Sequence, residues 1–520
     1  MKSVNVRLLI IIFFHMICQH VSGYDFEALN VEGQTLYYNI TSSTDKTVEL
    51  TYRDSWFSSY EGFPVIPDTV SHDSVTYSVT RIGDSAFYGV ADLKDVVIPN
   101  FIVSIGTRAF ADCSGLERVE IPNSVLSIGE KAFYNCESLE SIVIPNSVTN
   151  IGELAFGADT GDLHGLKSIV IGNSVGSISN IGFESSKLED VVIGDAVTVI
   201  DENTFLSCVN LKNVVIGNSV TNIGESAFAN CFSLSNIKIP NSVTTIGVSA
   251  FSHSGLTSID FGNSVISIGE DAFSSCENLE SIAIPNSVTN IGIGAFSYCP
   301  ALSSVEFGNS LTRIDSFVFS GSGLKSIEIP TSVKSIGDHA FADCAWLEQI
   351  VISSFVESIG DYAFSGCDSL SCVEIPNSVI SLGRGVFERC MSLDCVVIPN
   401  SVTSIGNSVF TSCWLNEIHW TPNANIIDGY ESGLCGSYTL PILYLYRNSE
   451  NAGILDDVIS SLEGEFKEII VVDGSYSSSV KRVEEEIAHK ESIIYDLQGR
   501  QVEHPSRGIY IVNGVKRYMK

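Results

Sequence analysis

Cysteine is the residue type in this 520-residue chain with the greatest capacity for covalent chemistry, and its spacing is regular. Ten of the 14 cysteines stand three residues after a phenylalanine, at Cys113, Cys136, Cys208, Cys231, Cys276, Cys299, Cys344, Cys367, Cys390 and Cys413. Val90 and Ser186 occupy the same place in other copies, which favours a buried ladder, because free cysteine packs as a small hydrophobe. Disulfides, which export would permit, are the alternative.

Cys372 and Cys395 differ from these ten because they fall at a position predicted to face outward from a strand. They are one repeat apart, so we expect them to lie side by side on adjacent strands. A Cα separation of about 4.8 Å lies within the disulfide range of about 4.4–6.8 Å. The spacing therefore predicts a cross-strand disulfide, with two free thiols as the alternative. It leaves Cys435 without an obvious partner.

Hydrolytic and metal chemistry find little support in the sequence. Gly172, Ser174 and Gly176 match G-x-S-x-G, but that motif needs a strand–turn–helix elbow with a nearby acid and histidine. Here it is the ordinary turn of a repeat. The nine histidines are scattered, and no C-x-x-C zinc pattern occurs. We therefore predict no catalytic residue, no metal ligand and no cofactor, and a protein that is not an enzyme.

An internal repeat positions all of these residues. Its unit reads L-x-x-I-x-I-P-N-S-V-x-x-I-G-x-x-A-F-x-x-C, and most copies are 22 or 23 residues apart. One phenylalanine marks each of 15 copies: Phe87, Phe110, Phe133, Phe156, Phe183, Phe205, Phe228, Phe251, Phe273, Phe296, Phe319, Phe341, Phe364, Phe387 and Phe410. The step of 27 residues from Phe156 to Phe183 contains the longest insertion, around residues 157–164.

The unit predicts a solenoid. L-x-x-I-x-I has the alternation of a strand, and Pro-Asn-Ser is typical of a turn. V-x-x-I is a second short extended piece, the glycine permits a bend, and A-F-x-x-C fits one helical turn. A single coil cannot bury these apolar residues alone, so neighbouring coils must stack. We predict a right-handed array with a parallel β-sheet on its concave face, and a short second strand and a helical turn in each coil.

The quoted unit, which repeats from about Arg81 to Trp420, resembles the BspA-like leucine-rich repeat family. This resemblance implies a leucine-rich repeat fold. Members of the family are surface and secreted proteins that are associated with adhesion to host matrix proteins and other cells. In the tail, the segments YDLQGR and GIYIV resemble C-terminal sorting sequences of the type IX secretion pathway.

The chain begins with a predicted secretory signal peptide. Lys2 and Arg7 precede an apolar run from Leu8 to Cys18, and a cleavage site is predicted near Gly23. The run is shorter than the roughly 18–20 apolar residues of a transmembrane span. The predicted segments are a signal peptide at 1–23, a β-rich N-terminal cap at 24–80, the repeats at 81–420, a C-terminal cap at 421–472, a linker at 473–492 and a β sorting-like tail at 493–520.

The outward positions of the predicted sheet divide into an apolar and an acidic part. Val143, Val170, Val192 and Val215 are predicted to form an apolar stripe across four strands, flanked by the insertion. Exposed apolar patches often mark interaction sites, although valine also simply suits strands. The later copies place carboxylates there, at Asp260, Glu306, Glu328 and Glu374. These favour cationic ligands.

The net charge of −33 argues against nucleic acid and anionic membranes as partners, because both need a basic surface. We predict a secreted or cell-surface, non-catalytic interaction or adhesion protein, a monomer, that binds a host extracellular or bacterial surface protein. The alternative is a secreted glycan-binding module. Sugar sites favour exposed aromatic platforms, and the outward strand positions hold almost none before Trp420.

Overall fold

The computed structural model describes residues 23–53, 60–158, 165–178, 182–423, 441–447, 451, 453–462, 466–473, 494–495, 508–512 and 515–519. The chain divides into two compact units. The N-terminal unit ends at Leu234, and the C-terminal unit begins at Ser235. The predicted linker at 473–492, apart from its first residue, and the signal peptide, apart from Gly23, lie outside the described residues.

The N-terminal unit opens with five strands rich in Tyr, Thr and Val, namely β1 (Phe26–Leu29), β2 (Thr35–Ser42), β3 (Thr47–Thr51), β4 (Thr69–His72) and β5 (Val75–Ile82). β1, β2 and β3 pair antiparallel, and β3 pairs parallel with β5. Tyr60 donates a hydrogen bond of 2.6 Å to the Thr51 carbonyl, and its ring lies 5.2 Å from that of Phe87. Tyr60, which lies between β3 and β4, therefore covers the first coil with its aromatic ring.

Each following coil has a principal strand formed by the centre of L-x-x-I-x-I. In the N-terminal unit these are β6 (Asp95–Val97), β8 (Arg118–Glu120), β10 (Ser141–Val143), β12 (Ser168–Val170), β13 (Asp190–Val192) and β15 (Asn213–Val215). In the C-terminal unit they are β17 (Asn236–Lys238), β19 (Ser258–Asp260), β21 (Ser281–Ala283), β23 (Ser304–Glu306), β25 (Ser326–Glu328), β27 (Gln349–Val351), β29 (Cys372–Glu374), β31 (Cys395–Ile398) and β33 (Glu417–Trp420). In most of them the middle residue is buried and the flanking residues face outward, as the alternation predicts.

The V-x-x-I segment forms the predicted second strand. In the N-terminal unit these strands are β7 (Ser104–Ile105), β9 (Ser127–Ile128), β11 (Asn150–Ile151), β14 (Val199–Ile200) and β16 (Asn222–Ile223). In the C-terminal unit they are β18 (Thr245–Ile246), β20 (Ser267–Ile268), β22 (Asn290–Ile291), β24 (Arg313–Ile314), β26 (Ser335–Ile336), β28 (Ser358–Ile359), β30 (Ser381–Leu382) and β32 (Ser404–Ile405). They pair parallel and in register within each unit. The parallel solenoid predicted from the repeat is thus confirmed.

The helical turn expected in each coil is not observed among the described coils. In the coil around Phe133, Lys131 and Asn135 have left-handed φ values of 52° and 55°, which an α-helix does not accommodate. The Phe133 amide donates to the Ala155 carbonyl of the next coil at 2.8 Å, whereas the Ala132 amide donates within its own coil. Because alternate amides bond to the neighbouring coil, the segment forms tight turns instead of a helix.

Two ladders fill the core. In each unit the marker phenylalanines stack, for example Phe87 on Phe110 with ring centroids 5.1 Å apart and Phe273 on Phe296 at 5.2 Å. All ten regularly spaced cysteines are buried as thiols, so the predicted cysteine ladder is confirmed. Each thiol donates a hydrogen bond to a phenylalanine carbonyl of the preceding coil, as Cys113 does to Phe87 at 3.0 Å. The bond satisfies the thiol without a disulfide.

The C-terminal unit ends with β34 (Ile442–Arg447), the helix α1 (Leu455–Ser461) and β35 (Glu468–Asp473), followed by β36 (Ile494–Tyr495), β37 (Gly508–Val512) and β38 (Val515–Met519). β34 and β35 continue the parallel sheet of β33, and β38 pairs antiparallel with β35. The described strands of the predicted tail therefore extend the same sheet. No helix within the described part of the chain is long and apolar enough to span a membrane.

Candidate functional site

The four valines predicted to form an apolar stripe lie side by side. Their strands pair parallel in the order β10, β12, β13 and β15, with Val143, Val170, Val192 and Val215 in register. Val143, Val192 and Val215 are 60%, 36% and 57% exposed, and Val170 is partly covered. We call these four residues the valine stripe. Its placement is as the sequence predicts, because strict register puts equivalent positions beside each other.

Ion pairs border the valine stripe. Just before the principal strands, Lys167 Nζ lies 2.6 Å from Glu140 Oε1, and Lys212 Nζ lies 2.6 Å from Glu189 Oε2. The hydrogen bond from Lys167 to Glu140 raises the pKa of that lysine. Since lysine and glutamate pair on successive coils, the charges of these pairs cancel locally. Asp190, which accepts a hydrogen bond of 2.6 Å from Asn213 Nδ2, keeps its negative charge beside Val192. The stripe is thus an apolar strip beside a polar border in which most charges are paired.

The insertion predicted to flank the stripe is only partly described. Gly157 ends its coil with a hydrogen bond of 2.9 Å from its amide to the Leu154 carbonyl. Residues 159–164 lie outside the described residues. The position of this loop relative to the stripe stays a prediction.

The outward face of the C-terminal unit has a different character. Asp260, Glu306, Glu328 and Glu374 are all exposed there. Within the described part of this unit, no lysine pairs with a carboxylate across successive principal strands. Val351 is 59% exposed but lies beside Glu328 in the register of β25 and β27. Lys238 is the register partner of Asp260, whereas the register partners of Glu306, Glu328 and Glu374 are uncharged. The negative charge of these three glutamates is therefore not cancelled by a register partner.

Cys372 and Cys395 are adjacent, as predicted. They are register partners on β29 and β31, and both are thiols, Cys372 exposed and Cys395 partly covered. The hydrogen bond between the two side chains lowers the pKa of Cys372 to about 7 and raises that of Cys395. Burial instead raises the pKa of buried ladder thiols such as Cys113, to about 12, and Cys276, to about 11. The predicted disulfide between Cys372 and Cys395 stays a prediction. Cys435 lies outside the described residues.

Two positions predicted to face outward are buried. Val397 and His419 are only 8% and 4% exposed. The His419 ring stacks on Tyr444 with centroids 4.8 Å apart, and its Nδ1 lies 3.0 Å from the Tyr446 hydroxyl. The expectation failed because β34, which lies outside the repeat, brings two tyrosines over the end of the sheet. The alternation in LYLY predicts a strand that carries these tyrosines, but it does not predict their contact with His419.

Glu417 completes this cluster. Its Oε2 lies 3.3 Å from His419 Nε2, and its Oε1 accepts a hydrogen bond of 3.4 Å from the Tyr444 hydroxyl. The interaction with His419 lowers the pKa of the Glu417 carboxyl. Both imidazole nitrogens thus face protein partners, which is typical of a structural histidine. The described part of the chain holds no group of three or more His, Cys, Asp or Glu arranged to bind a metal.

Ser174 lies in a repeat turn after β12, and no helix follows it in the described residues. The preceding Asn173 amide donates to Asn146 Oδ1 at 2.8 Å, and Asn173 Oδ1 accepts from the Asp195 amide at 3.1 Å. These bonds form a ladder of turn side chains between coils. The G-x-S-x-G match therefore has a structural explanation and lacks the elbow that a nucleophile requires.

Sequence reasoning missed a group of exposed aromatic side chains on the turns of the C-terminal unit. Phe317, His339 and Tyr362 stack in succession, with ring centroids 4.6 Å and 5.0 Å apart. Trp346 and Trp414 are 67% and 59% exposed. The sequence prediction concerned aromatic residues at the outward strand positions, whereas these side chains project from the turns.

Comparisons with known proteins agree with this architecture. A family model described as the BspA type leucine-rich repeat region matches residues 80–211, 160–254, 198–325 and 312–432, which is more than half of the chain. The comparison with curated proteins gives no match.

Three solved structures are similar in different degrees. A leucine-rich repeat protein from Bacteroides ovatus is 23% identical with a TM-score of 0.52, covering 86% of this chain and all of that one. A leucine-rich cell surface protein from Faecalibacterium prausnitzii is 25% identical with a TM-score of 0.33, covering 79% of this chain and 99% of that one. A leucine-rich repeat protein from T. pallidum is 28% identical with a TM-score of 0.32, covering 38% and 87%. The first similarity supports a shared fold.

Proposed function

The chain belongs to the BspA-type leucine-rich repeat family, and from this premise we propose that it is a secreted or cell-surface, non-catalytic interaction protein. It binds another protein, of a host extracellular matrix or a bacterial surface, through the strand face of its repeats. Because a fold does not determine a ligand, the proposal depends on a particular surface. That surface is the valine stripe.

The exposed register of Val143, Val170, Val192 and Val215 is the observation that carries the proposal. Adjacent strands are about 4.8 Å apart, so the stripe is about 14 Å long. A stable interface buries about 800 Å² on each partner, with an apolar centre and a polar rim. The stripe has the dimensions of such a centre, and the ion-paired row beside it forms part of the rim.

The border of the stripe indicates what kind of partner fits. Lys167 and Glu140 neutralise each other, as do Lys212 and Glu189. A strongly charged partner gains little there, whereas a partner that presents aliphatic or aromatic side chains buries the valines. We therefore propose a protein partner with an apolar patch of similar length. Export, predicted from the first 23 residues and from the sorting-like tail, places this contact outside the cell.

The test uses the full chain in three forms. Wild type first captures partners from host extracellular and bacterial surface proteins, and the affinity for each purified partner is then measured. Replacing all four valines with glutamate should lower the affinity for the true partner at least about tenfold, since it places four charges in an apolar contact. Val351→Glu is the matched control, because this valine is equally exposed but isolated among acids. A variant whose spectrum and melting curve match those of the wild type has kept the native fold.

Unchanged affinity of the fourfold variant would refute the stripe as the binding surface. An equal loss with Val351→Glu would show a general effect of negative charge and would refute it too.

Glycan binding is a second candidate, favoured by the exposed Trp346 and Trp414 on turns of the C-terminal unit. An aromatic face provides a platform for a sugar ring. If this function holds, Trp346→Ala and Trp414→Ala should each reduce retention on a glycan array, whereas the fourfold valine variant should bind normally. The opposite pattern supports protein binding through the stripe.

A further inference from the structure

Cys372 and Cys395 are the two described cysteines that lie outside the buried ladder. The ladder thiols donate to carbonyls inside the core, as Cys367 does to Phe341, and burial raises the pKa of Cys276 among them. Cys372 instead projects from the outward face of β29, and its register partner Cys395 projects from β31 beside it. The two kinds of cysteine therefore differ in access to solvent, although both occur in the same repeats.

The geometry of the pair permits a bond between the two sulfur atoms. Register partners on adjacent parallel strands have Cα atoms about 4.8 Å apart, within the range that disulfides span. The side chains leave the same face of the sheet and already share a hydrogen bond. Rotation about side-chain bonds brings the sulfur atoms together, with no shift of register required.

The pair is asymmetric. Cys372 is exposed, whereas Cys395 is partly covered. The exposed sulfur is the one that a dissolved disulfide can reach, and the attacking species in thiol–disulfide exchange is the thiolate. Interaction between the two side chains lowers the pKa of Cys372 and raises that of Cys395, in the same sense as the difference in exposure. The roles of attacking and resolving cysteine are thereby assigned to Cys372 and Cys395 respectively.

We propose that Cys372 and Cys395 form a two-cysteine thiol–disulfide exchange site that reacts with small extracellular disulfides. The Cys372 thiolate attacks a disulfide RS–SR, forms a mixed disulfide and releases RS⁻, which takes a proton from water. Cys395 then loses its proton to solvent, and its sulfur attacks the Cys372 sulfur and displaces the second RS⁻. The two cysteines are oxidised by two electrons, and RS–SR is reduced to two thiols.

The surroundings of the pair select among disulfides by charge. Glu374 lies on the same outward face of β29, two residues after Cys372. Asp394 precedes Cys395, and Glu417 is the register partner of Cys395 on β33. These three carboxylates attract cationic disulfides and repel anionic ones. The reagent that fits is therefore a small cationic or neutral disulfide.

The experiment treats the reduced full chain with cystamine, which is cationic, or with glutathione disulfide, which is anionic. Peptide mapping by mass spectrometry then assigns the state of each cysteine over time. Cystamine should convert Cys372 and Cys395 to their mutual disulfide at least about threefold faster than glutathione disulfide at low ionic strength. Added salt should slow the first reaction and accelerate the second, because it screens the carboxylates. The native ladder cysteines should stay reduced.

Variants separate the two roles. Cys395→Ser should accumulate a stable mixed disulfide on Cys372, and Cys372→Ser should lower the rate at position 395 at least about tenfold. Glu374→Gln should reduce the preference for cystamine, whereas Glu328→Gln, two strands away, serves as the control.

Three results would overturn the proposal. They are ladder cysteines that react as fast as Cys372, a mixed disulfide that persists in the wild type, and a charge preference that salt does not alter. None of these outcomes depends on protein binding by the valine stripe, so this proposal and the proposed function can fail separately.

Discussion

The two units share one repeat and differ in what they present to solvent. Inside, the Phe110–Phe133 pair of the N-terminal unit stacks at 5.3 Å, and the Phe341–Phe364 pair of the C-terminal unit also stacks at 5.3 Å. Outside, the first unit carries the valine stripe with its ion-paired border, and the second carries three glutamates without a charged register partner and the adjacent thiols of Cys372 and Cys395. Stacking coils constrains the inward residues, whereas the outward residues are free to differentiate.

Alkaline pH should destabilise both units to a similar extent. Burial raises the pKa of ladder thiols above the usual value of about 8.5, to about 11 for Cys208 and Cys276. The raised folded pKa means that stability is complete below the unfolded pKa and falls as the pH rises above it. Each such thiol contributes up to about 1.4 kcal/mol per pH unit. The thiols with a raised pKa are Cys113, Cys136, Cys208 and Cys231 in the N-terminal unit and Cys276, Cys299, Cys344 and Cys367 in the C-terminal unit.

Hydrogen exchange mapped to each unit between about pH 8 and pH 10 measures the two pH dependences, since phenols titrate only at about pH 10. Cys299→Ser should make the pH dependence of the C-terminal unit less steep and leave that of the N-terminal unit unchanged. A loss of stability at alkaline pH in only one of the two units would contradict the account.

Truncation of one marker phenylalanine should destabilise either unit to the same extent. Phe133→Ala and Phe296→Ala each remove a fully stacked ring and leave a cavity, which costs about 3–5 kcal/mol. Denaturant unfolding followed by proteolysis of each unit measures the loss. Phe317→Ala is the control, because this ring is 41% exposed, and its effect should be below about 1 kcal/mol. A large difference in the loss of stability between Phe133→Ala and Phe296→Ala would show that the two interiors are not equivalent.

A cationic peptide should distinguish the two outward surfaces. Oligolysine should bind the C-terminal unit, and replacing Glu328 and Glu374 with lysine should weaken binding severalfold, because these carboxylates lack neighbouring cations. Glu140→Lys beside the valine stripe should have a smaller effect. Titration at two salt concentrations measures the difference. Equal losses of affinity in the Glu328 and Glu374 variant and in Glu140→Lys would indicate that the whole acidic chain, rather than one face, attracts the peptide.

The smallest effect is expected from the ion pairs. Lys167→Met breaks the contact with Glu140, and an exposed pair of this kind contributes about 0–1 kcal/mol. Thermal unfolding should therefore change little, whereas partner binding to the stripe should respond to the uncancelled charge of Glu140. A loss of stability above about 2 kcal/mol would show that the border is structural.

Much of the fold could be predicted because the repeat encodes its own interior. Period-two alternation around Ile142 and the recurrence of Phe133 and Cys136 suffice to identify inward positions in every copy. The same regularity predicted that Val143 would adjoin Val170 and that Cys372 would adjoin Cys395. The helical turn could not be excluded in this way, because A-F-x-x-C alone is compatible with a helix. Only in the stacked array do alternate amides of this segment donate to carbonyls of the neighbouring coil.

The sequence by itself determined the coil, the core ladders and the row of outward valines, since each depends on residues within one repeat and on a constant register. Only the tertiary structure decided that His419 is covered by Tyr444 and that Cys372 is exposed beside the partly covered Cys395. Tertiary structure also set the pairing of Lys167 with Glu140. These contacts join residues 23–27 positions apart, and their geometry depends on which side chains the adjacent strand presents.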